Sequence, residues 1–129
     1  MALIPVVAAV IRKDDKLLVG RRPHDKRHGG LWEFPGGKVA DGETDFEAVA
    51  RELLEEFRVE TTAVGGVVWE CQDPGSEFLV RFVDTSIRGE LVPVEHIEIS
   101  WCQPESLRTI DLAPCDARFV AACLLRTRP

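Results

Sequence analysis

Glu52, Glu55 and Glu56 stand at i, i+3 and i+4, a spacing that brings their carboxylates to one face if the segment is helical. Like charges so placed repel by about 0.2–0.5 kcal/mol per pair, so the cluster is either a solvated acidic surface, the common fate of charge runs, or a cation site. Oxygen-only ligands of this kind suit a hard ion such as Mg²⁺ or Mn²⁺. The residues in front favour the cation. Gly36-Gly37 lies upstream and Glu43 falls between the glycines and the cluster. A glycine pair lets the backbone approach a ligand closely and aim a carbonyl at it, and a loop feeding carbonyl oxygen towards a carboxylate-lined helix outlines a metal cage.

Such a cage requires a helix, and Thr44 to Phe57 supplies one. Thr44 and Glu47 have the spacing of a capping box, while Phe46, Ala50, Leu53 and Phe57 recur at helical spacing as a buried stripe. The neighbouring segments read as strands. Leu3 to Ile11 is apolar and β-branched, Asp14-Asp15 is a turn, and Lys16 to Arg21 returns as a hairpin. Pro23 to Gly30 is polar and irregular. Leu31 to Val39 is a strand bent at Pro35-Gly36-Gly37. Val67 to Cys71 and Glu77 to Val83 flank an Asp73-Pro74-Gly75 turn, and Ile97 to Cys102 is a further strand. Pro104 to Leu107 is a short helical turn. Asp116 reads as the cap of a last helix reaching about Arg126, with Val120, Cys123 and Leu124 inward. Strands on both sides of a central helix, with a second helix at the end, predict an α/β layered fold.

The chain has 129 residues, 45% hydrophobic and 29% charged, with a formal net charge of −6. Residues 1–129 are expected to form one domain. An acidic chain is a poor binder of a nucleic-acid polymer, because that binding draws on counterion release by Lys and Arg. A small anion remains acceptable where an Arg or a metal ion lines the pocket. Cys71, Cys102, Cys115 and Cys123 form no C-x-x-C pair, and His24, His28 and His96 fall in no zinc spacing. Four reduced thiols and the lack of a signal peptide or membrane-spanning stretch predict a cytoplasmic protein with no membrane partner.

The stretch from Gly37 to Val59 resembles the Nudix box: Gly, five residues, Glu, seven residues, Arg-Glu, an aliphatic, any residue, Glu-Glu, any residue, Gly, an aliphatic. Gly37, Glu43, Arg51, Glu52, Leu53, Glu55, Glu56 and Val59 stand in register, and Arg58 replaces the last glycine. That glycine follows a helix end and usually takes the left-handed conformation, so Arg58 bears on the turn more than on the carboxylates. Arg21-Arg22 and Leu31-Trp32-Glu33-Phe34-Pro35-Gly36-Gly37-Lys38-Val39 are similar to the MutT branch. Trp101-Cys102 with Pro104, and Leu112-Ala113-Pro114 with Asp116, look like the bacterial CTP pyrophosphohydrolase relatives in that branch.

The resemblance implies a Nudix fold, a mixed β-sheet between α-helices in an α/β/α arrangement. It also implies a divalent cation and hydrolysis of a nucleoside triphosphate to monophosphate and pyrophosphate. By it, Glu52, Glu55, Glu56 and the Gly37 carbonyl hold Mg²⁺ or Mn²⁺, Glu52 is the favoured base or water-orienting group, and Arg51 pairs with Glu43 to hold the cluster in shape. A plain Arg51–Glu55 or Arg51–Glu47 surface pair is the simpler account of Arg51. Glu95, rather than Glu98, is expected to add a ligand or base, or else is a solvated loop acid. Arg22 either clamps phosphate or is a strand-end charge. Trp32 and Phe34 either stack on a base or fill the core. Asp116 either caps its helix or reads the base. An ionised Asp only accepts hydrogen bonds, which favours a donating edge such as the cytosine amino group or the guanine N–H groups.

The expected substrate is therefore a small nucleotide, with 8-oxo-dGTP and cytidine-type nucleotides as candidates, acted on by a monomer or homodimer in nucleotide-pool sanitation. A non-catalytic nucleotide-binding module on the same fold is the rival, though a pure binder has no need of repelling carboxylates. A calcium-binding structural domain lacks its D-x-D-x-D-G loop.

Overall fold

The computed structural model describes residues 2–125. Seven strands, Ile4–Lys13 (β1), Lys16–Arg21 (β2), Trp32–Glu33 (β3), Gly36–Lys38 (β4), Glu60–Gln72 (β5), Phe78–Arg88 (β6) and Glu98–Cys102 (β7), form one sheet. Two helices, Asp45–Phe57 (α1) and Pro114–Phe119 (α2), flank it among the described residues.

β1 is the spine. It runs parallel to β6 from Ile4↔Phe78 to Ile11↔Thr85. It also pairs antiparallel with β4 at its start and with β2 at its end. Period-two alternation sends Val7, Ala9 and Ile11 to the face covered by α1, and Ala8 and Val10 to the face covered by α2. Both faces are buried, which is why β1 reads as a continuous apolar run. The sheet is thus mixed and sandwiched between helices, an α/β/α arrangement. The β1–β2 hairpin closes through Asp14 and Asp15, both at positive φ, the twist-compatible geometry of a two-residue turn.

Three local expectations need correction. The buried stripe of α1 is Ala48, Val49, Leu53, Glu56 and Phe57, and Phe46 is 44% exposed. The helix is rotated so that Glu56 enters the interior and Phe46 does not. β5 begins at Glu60, not Val67, because as an edge strand it needs only backbone pairing with β6 and absorbs its polar and glycine residues at bulges between Thr61 and Trp69. The last helix starts at Pro114, with Ala113 as its cap residue and no side-chain cap bond. Asp116 therefore lies within the first turn and caps nothing. A π-helical turn, Val120–Leu124, follows. The expected end at Arg126 lies outside the described residues.

The other signals hold. Thr44 and Glu47 form the capping box in both directions, and Pro104–Arg108 is a 3-10 turn. No helix among the described residues is long and apolar enough to cross a membrane.

Candidate active site

β4 and α1 meet where Gly37 faces Glu52. A Cβ built on Gly37 would lie 2.5 Å from the Glu52 Cδ and 2.6 and 2.7 Å from its oxygens, so only glycine leaves the carboxylate its place. Gly36 is pressed just as closely against the Val7 carbonyl of β1.

Arg51 ties the glycine loop to the helix. Its Nε and Nη2 donate to the two Glu43 oxygens at 2.8 and 2.9 Å. Nη1 donates to Glu52 Oε1 at 2.7 Å and Nη2 to the Lys38 carbonyl at 3.0 Å. Glu43 also accepts from the Ala40 N–H at 2.8 Å. The Arg51 hydrogen bond, helped by that N–H, lowers the Glu43 carboxyl to about 2, and the two glutamates raise the Arg51 guanidinium above its ordinary value. The simple surface pair is thereby corrected: Arg51–Glu55 exists only as a 3.6 Å side contact.

The three helix glutamates do not face one way. Glu56 is buried, the Glu52 side chain is mostly covered, and the Glu55 side chain is 52% exposed. At about 100° of turn per residue, Glu55 and Glu56 diverge to opposite sides of Glu52, which sits on the boundary between core and solvent. Among the described residues no three acidic or imidazole side chains converge as a preformed metal cage. The donor chemistry nonetheless fits a divalent cation. Glu56 Oε1 is buried without a hydrogen-bond partner. Burial, the hydrogen bond it donates to Glu52 and the charges of Glu33, Glu52 and Glu95 push the Glu56 carboxyl up to about 10. A buried acid held protonated by other acids is a site in need of positive charge. Glu95 is exposed yet close enough for its charge to act on Glu56, whereas Glu98 begins β7 and pairs with Arg21 at 3.3 Å.

Beside Gly37 opens a cavity of about 390 Å³ whose walls include Arg22, Glu33, Phe34, Asp73 and Asp116. Arg22 Nη1 donates to Glu33 Oε1 at 2.8 Å and its Nε to the Arg27 carbonyl at 2.6 Å. Arg27 and His28 in turn reach the buried Asp73 at 3.0 and 3.1 Å, fastening the 23–30 loop to the β5–β6 turn. Asp116 Oδ2 accepts from the Phe34 N–H at 2.7 Å. Burial and the nearby Glu33 charge push the Asp116 carboxyl up to about 8, against the pull of that N–H. Its expected ionisation at neutral pH is therefore corrected: the acid keeps its proton and offers a donor as well as an acceptor. A larger open groove of about 900 Å³, lined in part by Lys13, Ile87 and Trp101, includes none of the candidate residues.

The Nudix domain family matches residues 2–123. The chain belongs to the Nudix family. Among curated Nudix proteins, the CTP pyrophosphohydrolase of Escherichia coli (strain K12) is 38% identical over 125 residues, covering 95% of this chain and 92% of that protein. The putative 8-oxo-dGTP diphosphatase 2 of Mycobacterium tuberculosis (strain ATCC 25618 / H37Rv) is 35% identical over 119 residues, covering 90% and 84%. The solution structure of the E. coli ORF135 protein superposes with a TM-score of 0.81 at 38% identity, covering 96% of this chain and 90% of that one.

Of the residues singled out from the Nudix resemblance, Gly37, Glu52, Arg51 and Glu43 come together, and Glu56 joins them from the interior. Arg22, Phe34 and Asp116 meet in the cavity. Trp32 is not among its walls and packs with the core on the α2 side. Phe34 is buried edge-to-face between Phe82 and Phe119, at 6.0 and 5.4 Å, so its ring is core and its backbone serves Asp116. Glu33, Asp73 and His96 were missed. Glu33 alone had a signal, its place two residues before Pro35-Gly36. Asp73 read as a turn residue, and His96 had no partner within reach along the sequence.

Proposed function

We propose that this Nudix enzyme is a magnesium-dependent pyrophosphohydrolase, cleaving a nucleoside triphosphate to monophosphate and pyrophosphate. The unpartnered Glu56 oxygen, buried beside Glu52 and in reach of the Glu95 charge, carries the reading. Glu52, Glu56, Glu55 and the Gly37 carbonyl would hold Mg²⁺, with Mn²⁺ as a substitute. When bound, the ion supplies neutralisation of phosphate charge and a more acidic water. Glu52, its carboxylate held by Arg51 at 2.7 Å, would orient a water or take its proton. Glu95, exposed to solvent, is the second candidate for the proton. Glu55, turned outward, must swing to contribute. Arg22 faces the cavity and can meet phosphate only by sharing its Glu33 partner.

Asp116 supports a base-reading role: it is buried at the cavity, fixed by one oxygen to Phe34, and free at the other. A free nucleotide rather than a nucleic-acid polymer suits both the size of the cavity, about 390 Å³, and the net charge of −6. The two relatives reported above, named for CTP and for 8-oxo-dGTP, define the substrates to separate. Incubating CTP, dCTP, 8-oxo-dGTP and dGTP with and without Mg²⁺, and following pyrophosphate release, tests the reading. Release is expected only with the cation and with a strong preference within the panel. Binding without hydrolysis under all conditions would instead make the chain a nucleotide-binding module.

A further inference from the structure

His96 is buried, with 3% of its side chain exposed, in a slot that the fold builds for it. One face of the ring stacks on Phe57 of α1, with centroids 5.2 Å apart and planes within 5°. On the other side lies Gly20 of β2, where an added Cβ would come within 2.6–3.0 Å of three ring atoms. The backbone around it is pinned to both neighbours. The Val94 N–H donates to the Glu56 carbonyl at 2.9 Å, and the Ile97 N–H to the Arg21 carbonyl at 2.9 Å.

The two ring nitrogens point to the two halves of the site. Nε2 lies 2.9 Å from Glu33 Oε2. A carboxylate paired with Arg22 is an acceptor, so Nε2 carries the hydrogen. Nδ1 lies 3.9 Å from Glu56 Oε1, and both atoms are buried without a hydrogen-bond partner. Glu33 is part of the cavity wall and Glu56 belongs to the carboxylate helix, so one rigid ring spans them.

We propose that His96 is a positioning residue that joins the nucleotide cavity to the carboxylate helix, fixing the Glu33 rotamer from Nε2 and the setting of Glu56 from Nδ1. The role rests on the hydrolase reading of the site. It requires no change in the charge of the ring. A histidine that merely filled a core slot would need neither nitrogen to face an acid.

His96→Gln and His96→Asn separate the two contacts, because the Gln amide falls near the Nε2 position and the Asn amide near the Nδ1 position. Both are measured in the full chain for kcat and KM on the best substrate of the panel, for Mn²⁺ binding without nucleotide, and for thermal stability. His96→Asn is expected to raise KM about tenfold, as for loss of one charged hydrogen bond, with Mn²⁺ affinity held within about twofold. His96→Gln is expected to do the reverse, weakening Mn²⁺ binding several-fold with KM nearly kept. Equal losses in both readouts, or a change in thermal stability alone, would overturn the positioning role and leave a core plug.

Nitrogen-15 spectra of the nucleotide-free protein supply an arm independent of turnover. The His96 Nε2 hydrogen is expected to resist exchange and to lose that protection in Glu33→Gln. An unprotected hydrogen in the wild type overturns the tie even where turnover is normal. A wild type that hydrolyses no nucleotide, with the hydrogen protected, overturns the hydrolase reading and not the tie.

Discussion

Glu43 and Asp116 are carboxyl groups of one site, and the structure moves them in opposite directions. Glu43 is held at about 2 by a two-pronged Arg51 and a backbone N–H. Asp116 is raised to about 8 by burial beside the charged Glu33, with the N–H groups of Phe34 and of Asp116 itself and the Arg22 charge against it. The first is fully satisfied before any ligand arrives and serves as scaffold. The second holds one oxygen to the protein and leaves the other for whatever enters the cavity. Apart from the unpartnered Glu56 oxygen that awaits a cation, the helix half of the site is thus braced, and the cavity half is left with hydrogen-bonding capacity to spare, the asymmetry expected where one part performs a fixed reaction and the other discriminates among ligands.

The strongest attempt to break that division is Glu52→Gln. It removes one charge without changing shape, and Arg51 retains Glu43. Turnover is expected to fall on the order of 10²–10⁴-fold, with thermal stability nearly unchanged and substrate preference kept. Near-normal turnover in Mg²⁺ would end the assignment of chemistry to the helix. Gly37→Ala approaches the same carboxylate from the other side. Its methyl would meet Glu52 at 2.5 Å, so it should lower turnover strongly while leaving Asp116-dependent preference intact.

The two halves also differed in how far they could be read from the chain. Gly37, Glu43, Arg51, Glu52 and Glu56 lie within one glycine loop and one helix, so local spacing suggested a cation site there and the Nudix resemblance supplied the Arg51–Glu43 pairing. The β1–β2 hairpin was equally local, whereas the sheet itself is closed by the distant β1–β6 and β2–β7 pairings. The cavity is assembled across long separations: Phe34 with Asp116 at 82 residues, Arg27 with Asp73 at 46, and Glu33 with His96 at 63. No periodicity reports such pairings. The misread capping role of Asp116 follows from the same limit, since an Asp near a helix start ordinarily caps it, and only the tertiary contact with Phe34 shows where its oxygen goes. The burial of Glu56 escaped because an acid inside a core is rare.

Asp116→Asn tests the cavity half. Protonated Asp and Asn both keep an acceptor for Phe34 and offer a donor to the cavity, so at pH 6 the substrate preference of the variant should resemble that of the wild type. Above pH 8 the wild-type carboxyl only accepts, and the ratio of kcat/KM between CTP and 8-oxo-dGTP is expected to diverge from the variant's by roughly tenfold. A ratio identical in both proteins at all pH values would remove Asp116 from base recognition. Stability gives a second reading. From its ordinary 3.8 up to about 8 the folded protein holds a proton at Asp116 that the unfolded chain has released. Wild-type stability should therefore fall with rising pH across this window, by up to about 1.4 kcal/mol per unit. Asp116→Asn should remove the Asp116 share of that slope, leaving the share of Glu56, and be increasingly the more stable protein. Glu43 acts in reverse, contributing stability above its ordinary 4.5 that is lost as pH falls towards 2. A Glu43→Gln variant should differ from wild type least in acid.

The smallest effect is expected at Arg58, which lies beside the helix half but outside its chemistry. Arg58 closes α1 at φ 58° and ψ 34°, its N–H bonded to the Leu54 carbonyl at 3.0 Å. The chain therefore adopts the conformation for which the Nudix box provides glycine, at a steric cost of roughly 1–2 kcal/mol for a side chain in this region. Arg58→Gly relieves that strain but frees the unfolded chain, which offsets about 0.5–1 kcal/mol of it. The net gain should lie between about 0 and 1.5 kcal/mol, a rise in Tm of at most about 6 °C for a domain of this size. Arg58 is exposed and takes part in none of the hydrogen bonds that hold Arg51, Glu52 or Glu43, so kcat and KM should stay within about twofold. Parallel melting curves and kinetics on the best substrate decide it. A Tm gain without kinetic change would mark the helix end as pure scaffold. A fall in kcat would mean that the left-handed turn sets Glu55 and Glu56 through its exact residue, and the braced half would then extend one turn further than the Arg51 network.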